Sequence, residues 1–219
     1  GSDSVVGSVE IYENYADQGG GFYVDETSTV EIGQAWLIAN TASDGGGGEV
    51  EGGYLTLVNL ASTWNGADGD GGGILIVDGT LDETNVTHGE DDAPSGGGLY
   101  LSGSSTGTVM NSIIWGCDSG VGVLVDGGSS FTGSYNDVYG NGGGNYSGIT
   151  DPTGVDGNIS EDPLFVDVTG DGDDFNDDWN LIGGSPAEDA GNPDPAYDDV
   201  DGTQNDMGAF GGPDSDWDV

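Results

Sequence analysis

The chain contains Gly71-Gly72-Gly73-Ile74-Leu75-Ile76-Val77, a glycine triplet that leads directly into four apolar residues. The same pattern occurs at residues 19–24, 45–50, 96–101 and 120–125, in steps of 26, 26, 25 and 24 residues. A constant step of this size is the mark of a repeat architecture. The glycines therefore belong to a repeating structural unit.

Each repeat unit also contains further short apolar segments, at residues 29–32, 54–58 and 109–114. Segments of this length, separated by Gly, Asn, Asp and Ser, are typical of β-strands. A unit of about 25 residues with two or three strands fits one coil of a solenoid and is too short for a propeller blade. A flexible glycine linker is the less favoured alternative, because apolar triplets follow the clusters in register.

Two regions resemble a known family. Asn14-Tyr15-Ala16-Asp17-Gln18-Gly19-Gly20-Gly21-Phe22-Tyr23 resembles the right-handed parallel β-helix repeats of bacterial surface proteins, which include the pectate-lyase-like superfamily and the chlamydial polymorphic outer-membrane-protein repeats. Residues 158–167, 180–191 and 206–213 are similar to the closing segments of secreted β-helix proteins. The resemblance implies an all-β, right-handed parallel β-helix with a loop-rich C-terminal cap. It implies a fold rather than a function.

The domain organisation follows from the repeat. Residues 1–150 contain the coils, and residues 151–219 are interpreted as an acidic final coil and C-terminal cap. A cap is expected because the last coil of a solenoid would otherwise expose its apolar face.

The charge of the chain excludes several functions. It has no Lys or Arg and 41 Asp and Glu, which give a formal net charge of −41. Nucleic-acid binding is not expected, because affinity for phosphates depends on Lys and Arg. Membrane insertion is not expected either, because no apolar run reaches the length of a membrane span. Such charge opposes a compact state unless salt or divalent metal neutralises it.

Two acidic stretches are candidate calcium sites, because calcium takes six to eight oxygen ligands from carboxylates, amides and carbonyls. The alternative is that both are hydrated acidic loops. The candidate ligands of the first stretch are Asp167, Asp171, Asp173, Asp174, Asn176, Asp177 and Asp178. Those of the second are Asp194, Asp198, Asp199, Asp201 and Asp206.

The sequence does not favour an enzyme. Polysaccharide lyases of the resembled fold use Arg or Lys, which are absent, and a glycosidase carboxylate pair arises easily by accident among 41 acids. The segment His88-Gly89-Glu90-Asp91-Asp92 resembles polygalacturonase elements only in part, since their order differs. We interpret His88 as a solvated loop histidine and Cys117, the one cysteine, as a buried small apolar residue.

These observations predict an extracellular or cell-surface structural protein, a calcium-stabilised stalk or fibre subunit that self-associates head to tail. The alternative is a calcium-dependent adhesin or carbohydrate-binding module; a carboxylate-only polysaccharide hydrolase is less favoured. Sugar-stacking candidates for the alternative are Tyr12, Tyr15, Tyr139, Tyr146 and Trp217. Sequons at Asn85, Asn145 and Asn158 leave glycosylation open.

Overall fold

A computed structural model describes residues 3–169 and 175–215, which contain strands and turns but no helix. In this part of the chain no helix is long and apolar enough to cross a membrane. The strands are β1 (Asp3–Tyr12), β2 (Tyr15–Gln18), β3 (Phe22–Val24), β4 (Thr29–Ile38), β5 (Thr41–Asp44), β6 (Gly48–Glu51), β7 (Tyr54–Thr63), β8 (Gly66–Ala67), β9 (Ile74–Val77), β10 (Thr80–Gly89), β11 (Leu99–Ser102), β12 (Thr106–Met110), β13 (Ile113–Trp115), β14 (Val123–Val125), β15 (Ser130–Ser134), β16 (Asp137–Tyr139), β17 (Tyr146–Ser147), β18 (Phe165–Asp167) and β19 (Asp178–Leu181).

The strands stack as the coils of a parallel β-solenoid, which confirms the predicted architecture. The first sheet aligns β1, β4, β7 and β10 with the pairs β12/β13 and β15/β16. A second sheet has the order β17-β14-β11-β9-β6-β3, and a third the order β2-β5-β8. The pairing of Asp3, Thr29, Tyr54, Thr80, Thr106 and Ser130 marks the start of six successive coils.

The glycine clusters lie where adjacent coils make the same turn. Gly46 N donates to Gly71 O at 2.9 Å, and Gly72 N donates to Gly96 O at 3.0 Å, so the clusters hydrogen-bond to one another. A Cβ on Gly72 would lie 2.6 Å from the main chain of Asp92 in the next coil. Glycine is required here because the backbones approach too closely for a side chain.

A column of side-chain amides runs along the next turn, and we call it the asparagine ladder: Asn14, Asn40 and Asn65, followed by Asp91. Asn40 Oδ1 accepts from Asn14 Nδ2 at 2.9 Å, and Asn65 Oδ1 accepts from Asn40 Nδ2 at 3.0 Å. Asp91 Oδ1 in turn accepts from Asn65 Nδ2 at 2.9 Å. Each side chain therefore links its coil to the next one.

A second column bends the long strands of the first sheet. Gln34, Asn59, Asn85 and Asn111 have φ of 50°, 50°, 53° and 55° and occupy equivalent positions in four coils. Asparagine is among the few residues that adopt this left-handed conformation readily. The bend divides each long strand into two segments and points side-chain amides outward.

The C-terminal region, which we call the arm (residues 161–169 and 175–215), lies along the side of the solenoid. Asn85 Nδ2 donates to Gly208 O at 3.1 Å, and Asn59 Nδ2 donates to Gly211 O at 2.7 Å. Gln34 Nε2 donates to Asp214 O at 3.0 Å. The arm thus runs back from coil four towards coil two.

The arm covers apolar side chains that point outward from the second segment of the long strands. The rings of Trp115 and Phe165 are 5.7 Å apart, those of Phe165 and Trp179 are 5.0 Å apart, and Phe210 lies 5.7 Å from Trp36. We expected residues 151–219 to cover the end of the core. Among the described residues of this stretch, residues 156–161 bond to the last coil: Ile159 N donates to Asn136 O at 2.8 Å, and Glu161 N donates to Asp137 Oδ1 at 3.1 Å.

We expect Asn65→Ala to destabilise the protein by about 3 kcal/mol, because the variant leaves the buried Asn40 amide groups and the Leu37 carbonyl without their partners. Urea unfolding followed by circular dichroism measures the change. Asn180→Ala is the matched control, since Asn180 is exposed and bonds only locally to Asp178. Equal losses in the two variants would contradict a structural role for the ladder.

Candidate functional site

The most unusual group of side chains is a chain of three ionisable residues inside the solenoid. His88 Nε2 lies 3.1 Å from Glu83 Oε2, and His88 Nδ1 lies 3.5 Å from Asp91 Oδ2. The side chains of all three residues are inaccessible to solvent. We call Glu83, His88 and Asp91 the interior ion cluster.

Strand register places this cluster inside. Glu83 pairs with Leu57 and Val109, which are both core residues, and His88 pairs with Ser62 and Ile114. Gly73 leaves space for the ring, because a Cβ there would lie 2.9 Å from His88 Nδ1 and 2.5 Å from Asp91 Oδ2.

The prediction that His88 is a solvated loop residue is wrong. His88 belongs to β10, and its side chain is fully buried. Burial disfavours the charged imidazolium, but the Glu83 charge and the polar contacts with Asp91 and Glu83 outweigh it and raise the pKa of His88 to about 10. The ring therefore carries a proton at neutral pH.

The interior ion cluster has no arrangement for catalysis. A substrate cannot reach it, and the two carboxylates lie at opposite nitrogens of the ring, so the ring has neither a free basic nitrogen nor a shared metal position.

Cys117 is also buried, which confirms the prediction that it is a buried small apolar residue. Burial, together with the charges of Asp91, Asp92 and Asp118, raises the pKa of its thiol well above the usual value.

The first predicted calcium stretch lies at the β18–β19 hairpin. Asp167 stands directly opposite Asp178, and Asp177 accepts from Thr169 N at 2.9 Å and from Trp64 Nε1 at 3.0 Å. Asp171, Asp173 and Asp174 lie outside the described residues, whereas Asn176 is described and exposed. Like charges directly opposite in a sheet repel, so Asp167 and Asp178 favour a bound cation or salt.

The second predicted stretch surrounds a groove of about 300 Å³ in the arm. Asp199, Asp201 and Asp206 line it, while Asp194 and Asp198 do not. Burial raises the pKa of Asp206 to about 6 and raises that of Asp199, whereas hydrogen bonds from Thr203 lower the pKa of Asp201.

Several of these carboxylates already serve as acceptors for the main chain. Asp199 accepts from Asp206 N at 3.0 Å and also from Gly212 N, and Asp206 accepts from Asp189 N at 2.6 Å. Within residues 3–169 and 175–215, no three His, Cys, Asp or Glu side chains converge in a manner that could hold a metal ion. Calcium binding at either stretch stays a prediction.

The predicted sugar-stacking residues differ in accessibility. Tyr15 is 76% exposed, while Tyr12 packs edge-on against Phe175. Tyr146 packs against the interior core and Phe131, so it is not available for stacking. Tyr139 is half-buried, and Trp217 lies outside the described residues.

A groove that we did not predict lies at the turn between the second and first sheets. It has a volume of about 490 Å³ and is lined by Tyr23, Asp25, Glu51 and Asp78. The Tyr23 hydroxyl donates to Glu51, which raises the pKa of Tyr23 to about 12, and the Tyr54 hydroxyl donates to Asp82. Both tyrosines precede their acid by 28 residues, about one coil, and this spacing was the available sequence signal.

The asparagines of the three sequons make side-chain hydrogen bonds within the folded chain. Asn85 and Asn158 are buried, with side-chain amides that bond to main-chain carbonyls. Asn145 is half-buried, and its Nδ2 donates to Ser160 Oγ at 2.9 Å. The folded chain therefore does not present Asn85 or Asn158 for glycosylation.

In the comparisons with known proteins, no family model, no curated protein and no solved structure matches the chain. The parallel β-solenoid is shown by the structure itself. Membership of the pectate-lyase-like superfamily and the right-handed sense of the coils stay predictions.

We expect stability to fall steadily as pH rises from about 4 to about 10. Burial raises the pKa of Asp137 and Glu49 to about 7, so the native state binds their protons more tightly than the unfolded chain does, and this stabilisation is lost towards neutral pH. Protonation of His88 changes stability in the same direction. Its stabilisation is complete below about pH 6.5 and is lost as the pH rises towards 10. Urea midpoints across this range measure the slope.

Asp137→Asn tests one contribution separately. Because the amide cannot ionise, the variant should be more stable than the parent at pH 8.5, equal to it near pH 4, and less pH-dependent between these values. Asp201→Asn is the control, since Asp201 is exposed and its pKa is lowered. A parent protein whose stability rises with pH, or an Asp137→Asn variant with the full slope, would refute the assignment.

Proposed function

We propose that this protein is a non-enzymatic structural protein of the cell exterior, a calcium-stabilised β-solenoid that acts as a surface stalk. The observation that carries the proposal is the placement of the reactive side chains. His88 and Cys117 are sealed in a continuous core that extends through all six coils. The solenoid therefore presents a rigid, acidic outer surface to its surroundings.

Calcium enters the proposal through charge. His88 is the one basic side chain of the chain, and its charge is balanced by Glu83 and Asp91. The surface carboxylates therefore need cations from solution. In the arm, acids lie close together at the Asp167–Asp178 pair and in the groove around Asp199 and Asp206. A divalent ion at either place would bridge carboxylates within the arm and so stabilise its folded conformation.

The two ends of the solenoid favour a stalk over a head-to-tail fibre. The outer edge of β1 has no partner strand among the described residues. At the other end Tyr135 N donates to Asp156 O at 3.0 Å, and Asn136 N donates to Asn158 Oδ1 at 3.1 Å, so residues 156–158 occupy the edge that a second copy would need. Filament growth by stacking would require this segment to move.

Calcium should raise the thermal midpoint by several degrees more than sodium at equal ionic strength, because a bound ion stabilises only the folded state. We expect Asp167→Asn/Asp178→Asn to lose much of this calcium-specific increment. Asp118→Asn is the matched control, which removes an exposed acid outside the arm. Identical midpoints in the two salts would contradict a calcium-stabilised scaffold and leave screening alone as the role of ions.

A second candidate function, a carbohydrate-binding module or adhesin, is favoured by the Tyr23 groove. Tyr23 and Tyr54 keep partly exposed rings that are each held by a carboxylate of the next coil. An aromatic face can stack on a sugar ring, and a carboxylate beside it can accept hydrogen bonds from the sugar hydroxyls.

On immobilised neutral and acidic polysaccharides in calcium, we expect Tyr23→Ala and Tyr54→Ala to shorten retention severalfold, because each removes a stacking surface. Tyr15→Ala removes a more exposed tyrosine, which lies in β2, and should leave retention unchanged. Failure of the parent protein to be retained by any column would remove this candidate without affecting the stalk proposal.

A further inference from the structure

The chain contains one histidine and one cysteine, and both are buried in neighbouring coils. With no Lys or Arg present, His88 is the one side chain able to carry a positive charge. It lies in coil four, and Cys117 lies in coil five at the position equivalent to Asp91. The proposed surface role uses neither residue.

The two carboxylates of the interior ion cluster depend on His88 to different degrees. Asp91 accepts from Asn65 N at 2.8 Å, from Asn65 Nδ2 at 2.9 Å and from Ser62 Oγ at 2.7 Å. Glu83 Oε2 contacts His88 Nε2, whereas Glu83 Oε1 has no hydrogen-bond partner in the described part of the chain. The charge of Glu83 is therefore compensated chiefly by the imidazolium.

We propose that the proton on His88 is a pH-operated lock, which keeps coils three to five closed while it is bound and opens them when it is lost. The groups that face the ring are Glu83 and Asp91 from its own coil, Ser62 from coil three, and Ile114 from coil five. Gly73 and Gly98 also lie beside His88, and neither has a side chain that could titrate. Cys117 is the nearest further titratable group in this column, next after Asp91.

Loss of the proton opens the coils because it leaves two carboxylates in the interior without a cation. An unpaired buried charge is strongly unfavourable, so water must enter or a carboxylate must take up a proton. The pKa of His88 is about 10 in the closed state, against about 6.5 for an unperturbed imidazole. Between these values one proton is released on opening, so the opening equilibrium should increase about tenfold per pH unit.

The first test is an NMR titration of the folded protein that follows the imidazole Hε1 signal. Because the chain has one histidine, this signal needs no assignment among residues. We expect no shift of this signal between pH 5 and pH 8. A transition near pH 6.5 in the folded protein would overturn the proposal.

The second test uses Cys117 as a reporter of opening. Thiol labelling by a disulfide reagent is measured at pH 7.5 and 8.5 and divided by the rate of the urea-unfolded chain at the same pH, which removes the effect of thiol ionisation. We expect this ratio to rise about tenfold over the interval in the parent protein.

The variant Glu83→Gln/His88→Gln replaces the ion pair with two neutral amides of similar size. In this double variant the ratio of labelling rates should be nearly independent of pH. In Asp118→Asn, which alters an exposed acid near Cys117, the ratio should rise with pH as it does in the parent protein. The single variant His88→Gln should show a raised ratio at both pH values, and the double variant carries the test if the single one does not fold. A parent slope that persists in the double variant would overturn the lock.

Discussion

The structure depends on the hydrogen bond between an asparagine side chain and the next coil. A chain with 41 acids and no Lys or Arg cannot join its coils through salt bridges, so uncharged dipoles must do so. An amide both donates and accepts, which allows Asn14, Asn40 and Asn65 to stack one upon another. At Asp91 the column meets a side chain that only accepts when ionised. Asp91 then needs more donors than the amide column supplies, and Ser62 and the protonated His88 are placed beside it.

The coil repeat could be predicted because it has a local cause. Adjacent backbones approach too closely at Gly20, Gly46 and Gly72 for a Cβ, so the requirement for glycine recurs once per coil and is visible as spacing. The arm could not be placed in the same way. Continuous apolar runs such as residues 35–38 and 113–115 indicate burial on both faces of a strand, but not which segment supplies the cover. That segment proved to be 150 residues away, where Asn59 meets Ala209.

The site residues were harder to predict, because the same residue types have several uses here. His88 is followed by Gly89, Glu90 and Asp91, a composition typical of loops; only alignment of Glu83 with Leu57 in the preceding coil reveals that this strand points charge inward. The acids of the arm pose a similar problem. Asp194 and Asp201 each accept from the main-chain N–H two residues later, which stabilises a turn without any metal. Composition alone cannot separate such acids from calcium ligands.

The two sets of charges in this molecule respond to different agents. Surface carboxylates lie within reach of salt, which screens interactions beyond about 8 Å at physiological ionic strength. The interior ion cluster is closed to solvent, so mobile ions cannot enter it without opening the coils. Only a proton is small enough to neutralise that position in the packed core, and the imidazole ring holds it between carboxylates at its opposite nitrogens. Salt therefore acts on the arm and the outer surface but does not reach the interior ion cluster, where the proton on His88 is the charge that balances the two carboxylates.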